Sequence, residues 1–225
     1  MSHGKDFTLF TTVVGPNGWK VAMILSELNL SYEEIFLDVF KGENKKPEHT
    51  KYNPNGRVPT LVDHRNNDFV IWESCAIIYY LAEKYDTERK ISVEAFEDKM
   101  IEQQWLFFQG SGQGPYFGQA GYFTIVNPSP HLPEVIERYQ KEILRVLGVL
   151  EEVLSKQEWL VGEKCTIADI SFVPWNYMAE NALVRDYKGF NLDKDFPSVA
   201  KWHRKLLARP PVADAFARRT KMLGK

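Results

Sequence analysis

Short β-branched, aromatic or alternating runs recur through the first third of the chain. They predict strands at residues 7–14, 32–39, 60–62 and 69–72. Apolar residues at helical spacing predict one helix that begins near Asn17 and a second across residues 73–85. The order is therefore βαβ, a polar connection, then ββα. This order predicts a small α/β sheet in which a parallel pair of strands lies beside an antiparallel pair.

Strand patterns end at a charged segment, residues 86–92, that has no apolar rhythm. Beyond it, apolar residues at helical spacing mark a long helix across 136–154, and a further helical pattern covers 198–209. We therefore predict two domains, an α/β domain at residues 1–86 and an all-α domain at residues 93–225.

The start of one further helix can be predicted from its first residues. Thr166 and Asp169 have the types and the spacing of a capping box, in which each side chain pairs with the other residue's backbone N–H. Cys165 and Ile170 flank this box as a hydrophobic staple. We expect a helix to begin directly after Thr166.

Composition excludes several classes of function. The net charge of −2 argues against a nucleic-acid binder, and no apolar run approaches the length of a membrane span. The first ten residues have no apolar core of a signal peptide, and the two cysteines form no CxxC pair, so we expect a reducing, cytoplasmic location. The five histidines are dispersed, and we predict no metal.

The turn between the first strand and the first helix is a candidate site. Backbone N–H groups at a helix start are unpaired within the helix and can bind an anion. Asn17 is the one polar side chain in the Gly-Pro-Asn-Gly turn, which has no Ser, Cys or acid. The local sequence by itself favours a helix cap for Asn17.

Three segments together are similar to the cytosolic glutathione transferases, over essentially the whole chain: NPNGRVPTLVD (53–63), WESCAIIYYLAEKY (72–85) and LVGEKCTIADISF (160–172). Three further segments resemble a narrower group, the bacterial nu-class disulfide-bond reductases and fungal enzymes similar to the yeast nitrogen-catabolite regulator: GPNGWKV (15–21), QQWLFFQGSGQGPYFGQ (103–119) and ERYQKE (137–142). The resemblance implies a thioredoxin-like amino-terminal domain, an all-α carboxy-terminal domain and a homodimer.

The resemblance gives Asn17 a chemical role. A thiol with a pKa near ~8.5 is mostly protonated at neutral pH, whereas the thiolate is the reactive species. An amide N–H and a helix start beside the glutathione sulfur would each favour its anion by about 1 kcal/mol. The turn has no cysteine, so thiol–disulfide chemistry here would use glutathione sulfur alone.

Other positions implied by the resemblance would hold the glutathione backbone. Arg57, Val58 and Pro59 match a cis-proline turn whose Val58 backbone pairs with the cysteinyl unit. Glu73 would bind the α-ammonium group and Ser74 the α-carboxylate of the γ-glutamyl unit. The alternatives are a proline at a strand start and a pair of residues that only cap a helix.

The remaining ligand contacts are less direct matches. Asn44 falls on the family's Gln or His position for the glycine carboxylate, with Lys45 beside it and Lys46 as a solvated neighbour. Gln104 and Arg138 match positions that reach the ligand in nu-class relatives, the arginine from the other subunit. Both could equally be surface residues of their helices.

An aromatic-rich segment offers an apolar pocket for an acceptor substrate. Its density of rings is equally typical of a core or a dimer interface. The candidates are Trp105, Phe108, Tyr116, Phe117, Tyr122 and Phe123. Cys75, in the first turn of a helix, is interpreted as a buried, inert thiol.

The function predicted from the sequence is a homodimeric glutathione transferase with glutathione-dependent thiol–disulfide reductase activity. Glutathione would be the cosubstrate, bound as such or as its disulfide, and the partner a small electrophile or disulfide. One alternative is a transferase that conjugates aromatic or unsaturated electrophiles. Another is a non-catalytic, glutathione-binding regulatory or carrier protein.

Overall fold

A computed structural model describes residues 4–127 and 132–224. The chain forms two compact units, one of Met1–Ser92 with Arg209–Lys225 and one of Val93–Ala208. The break after residue 92 agrees with the end of the strand patterns. The carboxy-terminal segment, by contrast, belongs to the first unit, although the sequence pattern assigned it to the helical domain.

The first unit contains a four-stranded sheet and four helices of the described chain. Its elements are β1 (Phe7–Thr11), α1 (Pro16–Glu27), β2 (Tyr32–Phe36), α2 (Pro47–Thr50), β3 (Thr60–Asp63), β4 (Phe69–Trp72), α3 (Ser74–Tyr85) and α10 (Pro210–Met222), with 3₁₀ turns at Glu43–Lys45 and His64–Asn66. The strand order is β2-β1-β3-β4. Strands β1 and β2 are parallel, whereas β3 is antiparallel to both β1 and β4, as the element order predicts.

The first two strands end earlier than the sequence pattern suggests. Thr11 pairs with Phe36 at the last step of the β1–β2 ladder, and Leu37 N–H donates to Thr11 C=O at 2.8 Å. The chain then turns toward Pro16, which has no N–H to continue a ladder. The end of β1 is therefore set by the start of α1.

Helix α10 is attached to the first unit by charged side chains. Arg209 forms a two-bond fork with Glu27, with N···O distances of 2.6 and 2.7 Å. Arg218 forms an ion pair with Glu34, at a position where the glutamate side chain is only 10% exposed. Forked arginine–carboxylate pairs of this kind fix orientation as well as distance.

The second unit consists of helices joined by loops, with no β-strand among its described residues. Its helices are α4 (Phe96–Phe108), α5 (Gly114–Gly121), α6 (Pro133–Leu154), α7 (Ile167–Met178), α8 (Leu192–Asp195) and α9 (Pro197–Leu207), with π-helical turns at Gln109–Gln113, Tyr122–Val126 and Ala179–Leu183. The predicted architecture, a thioredoxin-like α/β domain followed by an all-α domain, is confirmed.

The predicted capping box at the start of α7 is also confirmed. Thr166 accepts from Ala168 N–H at 3.2 Å, and Thr166 N–H donates to Asp169 at 2.8 Å. The fully buried Asp169 also accepts from Leu160 N–H and from Trp202 Nε1, both at 2.9 Å. Burial raises the pKa of Asp169, while these donors favour its ionised form.

His203, on α9, is a buried histidine whose loss of contact with water is not offset by hydrogen bonds from the described residues. Its side chain is 0% exposed, and neither ring nitrogen has a hydrogen-bond partner among the described residues. Burial, with a smaller contribution from the neighbouring Arg204 cation, lowers the pKa of His203 from 6.5 to about 3. The folded protein therefore holds this imidazole neutral at every pH above that value.

We expect His203→Leu to reduce the loss of stability on acidification. Below pH 6.5 the unfolded chain protonates His203 and the folded chain does not, so the free energy of unfolding falls with pH. At pH 5 this one group lowers it by about 2 kcal/mol. Urea unfolding of wild type and variant at pH 7 and pH 5 measures the difference.

The exposed Lys201, also on α9, provides the control for this experiment. Lys201→Leu changes charge on the same helix but should leave the pH dependence unchanged. If wild type and His203→Leu lose the same free energy of unfolding between pH 7 and pH 5, another group causes the loss of stability.

Candidate functional site

The first turns of α1 and α3 lie at one pocket in the first unit. The pocket is lined by Asn17, Asn53, Asn55, Arg57, Val58, Pro59, Glu73 and Ser74. Six of these eight residues are predicted site residues. The volume is about 100 Å³, below the ~300 Å³ typical of pockets that enclose a small molecule. An extended ligand would lie across this pocket rather than inside it.

Asn17 is in the first turn of α1 but does not cap it. The N-cap is Gly15, with Pro16 at the first helical position and Asn17 after it. Asn17 is half-buried and lines the pocket. The helix-cap interpretation of Asn17 is therefore wrong, because an N-cap precedes the first helical residue. No acidic residue lies in this turn to neutralise the helix start.

Glu73 has an unusual backbone conformation at the start of α3. Its φ is 70° and its ψ is 112°, and L-residues other than glycine rarely adopt such positive φ values. Strain of this kind persists where surrounding structure enforces it, and it is common at ligand sites. Glu73 is the N-cap of α3 but makes no side-chain capping bond, and its side chain is exposed at the pocket.

Ser74 is the first residue of α3 and is 8% exposed. Because Glu73 occupies the N-cap position, the alternative in which Ser74 caps the helix is also wrong. The first N–H groups of a helix have no partner within it, and they favour an anion. Glu73 and Ser74 thus place a carboxylate and a hydroxyl beside a helix start.

The opposite wall is a turn organised by Asn53, a residue that the sequence analysis missed. Its buried Nδ2 donates to Arg57 C=O at 2.8 Å and to Thr60 Oγ1 at 3.1 Å, and its Oδ1 accepts from Asn55 N–H at 3.0 Å. The peptide bond between Val58 and Pro59 is cis. The Asn-Pro-Asn-Gly sequence contained the signal, since asparagine often bonds its own backbone two residues on.

Asn44 and Lys45 do not line the pocket. The buried Asn44 donates through Nδ2 to Gly56 C=O at 2.7 Å, and Lys45 Nζ donates to Asn55 C=O at 2.8 Å. Both side chains thus support the turn. Their predicted contact with a glycine carboxylate remains a prediction, for which the Asn44 amide would have to exchange a buried hydrogen bond.

The remaining predicted contacts belong to the second unit. Gln104 on α4 and Arg138 on α6 are both exposed. Exposed side chains are consistent both with a contact to the ligand and with ordinary surface residues of the two helices. The ligand contacts of Gln104 and Arg138 therefore stay predictions.

The six aromatic candidates separate into two groups. Trp105 and Phe117 lie in the core of the second unit, at 6% and 0% exposure. Phe123 stacks on Tyr139 with ring centroids 6.0 Å apart, and Tyr116 lies 6.4 Å from the same ring. Four candidates remain at least partly exposed: Phe108, Tyr116, Tyr122 and Phe123. The prediction of an acceptor pocket therefore depends on these four.

A larger cavity lies in the second unit but lacks a comparable set of groups. It encloses about 360 Å³ and includes Lys156, Lys201 and Lys205. Lys205 pairs with Glu158 at 2.6 Å, and such solvated pairs contribute little to binding. We therefore assign the candidate site to the smaller pocket, where buried polar groups and helix starts converge.

Neither a membrane-spanning helix nor a metal-binding cluster occurs within residues 4–127 and 132–224. No helix there is long and apolar enough to span a membrane. No group of three or more His, Cys, Asp or Glu side chains is positioned there to hold a metal ion.

Comparison with known proteins identifies the family. Residues 5–83 match the amino-terminal domain of glutathione S-transferases, and residues 115–210 match the carboxy-terminal domain. The chain belongs to the glutathione S-transferase family. It is 51% identical to glutathione S-transferase 2 of Schizosaccharomyces pombe, with 96% of each chain covered.

Solved structures of other glutathione S-transferases agree. The glutathione transferase URE2P5 of Phanerochaete chrysosporium is 58% identical, with a TM-score of 0.96 and coverage of 99% of this chain and 98% of that one. URE2P6 of the same fungus, in complex with oxidised glutathione, is 56% identical, with a TM-score of 0.93 and coverage of 98% and 99%. This glutathione S-transferase thus resembles the Ure2-like transferases, as the sequence motifs implied.

Proposed function

We propose that this protein is a glutathione-dependent thiol–disulfide reductase of the nu-class and Ure2-like type, with Asn17 as its catalytic residue. The observation that carries the proposal is the shared pocket, in which Asn17, Val58, Glu73 and Ser74 meet at two helix starts. Oxidised glutathione in the URE2P6 structure supports the choice of ligand.

Glutathione offers groups that match this pocket. Glu73 pairs with the α-ammonium group, while Ser74 and the first N–H groups of α3 bind the α-carboxylate. The Val58 backbone pairs with the cysteinyl unit as one short step of strand addition. The sulfur then lies toward Asn17 and the start of α1.

Asn17 acts on the sulfur anion. An amide N–H and the α1 dipole stabilise the thiolate of bound glutathione, which attacks a glutathionylated disulfide. The new bond gives oxidised glutathione, and the other sulfur departs as a thiolate that takes a proton from water. Cys75 is not among the residues that line the pocket, so the attacking sulfur belongs to the substrate.

A second candidate activity is conjugation of glutathione to an aromatic electrophile. It is favoured by the structure of URE2P5 of Phanerochaete chrysosporium cocrystallised with 1-(S-glutathionyl)-2,4-dinitrobenzene. The same stabilised thiolate would attack carbon instead of sulfur. Parallel rates with a glutathione mixed disulfide and an aryl halide separate the two activities.

A homodimer is part of the proposal because large apolar side chains are exposed on one face of α4. Phe96 is 69% exposed, Phe107 is 73% exposed, and Met100 lies on the same face. Contiguous apolar surface is typical of protein interfaces. A second copy of the chain would cover this face and would contribute Arg138 to the site, as in nu-class relatives.

Glutathione and its disulfide should raise the melting temperature. Either ligand at a hundredfold excess over its dissociation constant stabilises the folded state by about 2.7 kcal/mol. Glu73→Gln should weaken the shift, because the partner of the α-ammonium loses its charge. Glu94→Gln, at an exposed glutamate of the second unit, is the control. Absence of a shift with both ligands would contradict the proposed site.

Asn17→Ala should lower kcat for disulfide reduction by about 10- to 1,000-fold, the effect of losing one preorganised donor. Affinity for glutathione should change little, since Glu73 and Ser74 hold the rest of the molecule. Single-turnover rates across pH should show a raised apparent pKa of the bound thiol in the variant. Asn55→Ala removes another asparagine from the same pocket and should retain the wild-type pKa. Full rate in Asn17→Ala would refute the mechanism.

Sedimentation velocity at micromolar concentration should give a dimer. Phe107→Asp should convert the protein to a monomer, because a charge is then placed in the apolar face. Phe40→Asp is a matched control, since Phe40 is 72% exposed in the first unit. A wild-type monomer would remove both the dimer and the role of Arg138.

A further inference from the structure

A buried lysine and a cysteine meet between α1 and α3, outside the set of residues that line the pocket. Lys20, on α1, is 1% exposed, and its Nζ donates to Cys75 Sγ at 3.3 Å. Cys75, in the first turn of α3, is half-buried. The contact joins a nitrogen nucleophile and an oxidisable sulfur that are 55 residues apart in sequence.

Burial increases the fraction of Lys20 that is present as the neutral amine. Burial lowers its pKa from 10.5, and the nearby Cys75 and Glu73 only partly oppose this effect. A neutral amine is a nucleophile, whereas an ammonium group is not. The sequence predicts a buried, inert thiol at Cys75, whereas the structure shows the residue half-buried and in contact with this amine.

We propose that Lys20 and Cys75 form an oxidative modification site, in which a hydroperoxide converts the pair into a sulfenamide cross-link. The proposal does not depend on glutathione binding or on the role of Asn17.

The chemistry proceeds in two balanced steps. The Cys75 thiol transfers its proton to the Lys20 amine, and the resulting thiolate attacks the terminal oxygen of the hydroperoxide. The O–O bond breaks, the sulfur keeps the OH group as a sulfenic acid, and the leaving alkoxide or hydroxide takes the proton back from Lys20. The Lys20 amine then attacks this sulfur and forms an S–N bond, and the sulfenic OH leaves as water with one amine hydrogen. Overall, the protein loses two hydrogen atoms and the hydroperoxide is reduced.

Accessibility suits both steps. Cys75 as a residue is half-buried, which suits the approach of a small hydroperoxide, while the Lys20 amine is buried and lies 3.3 Å from the sulfur. A dithiol reverses the reaction, because one thiol displaces the Lys20 amine from sulfur and the second closes a cyclic disulfide. The cross-link would join α1 to α3, the two helices whose first turns line the pocket.

Cys165 provides the internal comparison. It is the second cysteine of the chain, it is buried at 5% exposure, and its thiol lies 3.9 Å from Thr166 C=O. A carbonyl oxygen cannot condense with a sulfenic acid as an amine can. Oxidation at Cys165 should therefore give no link to Lys20.

The test uses the full chain treated with hydrogen peroxide and analysed by mass spectrometry. The expected product lacks two hydrogen atoms, and after trypsin digestion it contains peptide 6–41, uncleaved at Lys20, linked to peptide 66–84. A dithiol should restore the original mass. Cys165→Ser should still form the link, whereas Lys20→Met and Cys75→Ser should not.

Three results would overturn the proposal. Cys75 could be trapped entirely as a sulfenic acid by a dione reagent, with no linked peptide. Cys75 could resist the peroxide altogether. The linked peptide could also persist in Cys75→Ser, which would assign it to other atoms. If Lys20→Met does not fold, Cys75→Ser and Lys20→Arg each remain a sufficient test, because neither offers both reacting groups.

Discussion

The candidate site depends on one buried amide, the side chain of Asn53. It donates to Arg57 C=O and to Thr60 Oγ1, and it accepts from Asn55 N–H, so one side chain fixes both ends of a turn. His49 supports the same hydroxyl through Nε2 at 3.1 Å. Buried polar groups of this kind must be paired, which makes the shape of the turn unique. That turn forms one wall of the pocket.

The other walls come from the backbone rather than from reactive side chains. Helices α1 and α3 present their first turns, where N–H groups lack partners within the helix and favour negative charge. Neither turn contains an acid within the helix to neutralise it. Under the proposed function, such a site would stabilise an anion that the substrate brings. The proposed mechanism therefore needs no protein nucleophile at the position of Asn17.

The buried groups with the clearest expected effect on stability lie in the second unit, whereas the residues with proposed chemistry lie in the first. In the second unit, Asp169 collects donors from a loop, a helix start and Trp202, and His203 lies buried without a partner among the described residues. Burial shifts the pKa of both groups, so each contributes to the expected dependence of stability on pH. In the first unit, Lys20 on α1 places a buried amine against the Cys75 thiol on α3. The proposed oxidation site and the predicted acid-sensitive group therefore lie in different units.

The sequence by itself determined the four strands and their parallel and antiparallel pairing, helices α1, α3, α6, α7 and α9, and six of the eight residues that line the pocket. Period and turn residues are local properties, so the strands, the capping box of Thr166 and Asp169, and the motif around Val58 could be read directly. Only the tertiary structure decided the features that depend on contacts between residues distant in sequence. Asn53 acts through atoms up to seven residues away, α10 joins the first unit through Arg209 and Glu27, and Cys75 meets an amine 55 residues distant. Burial and charge at such contacts arise only when the chain has folded.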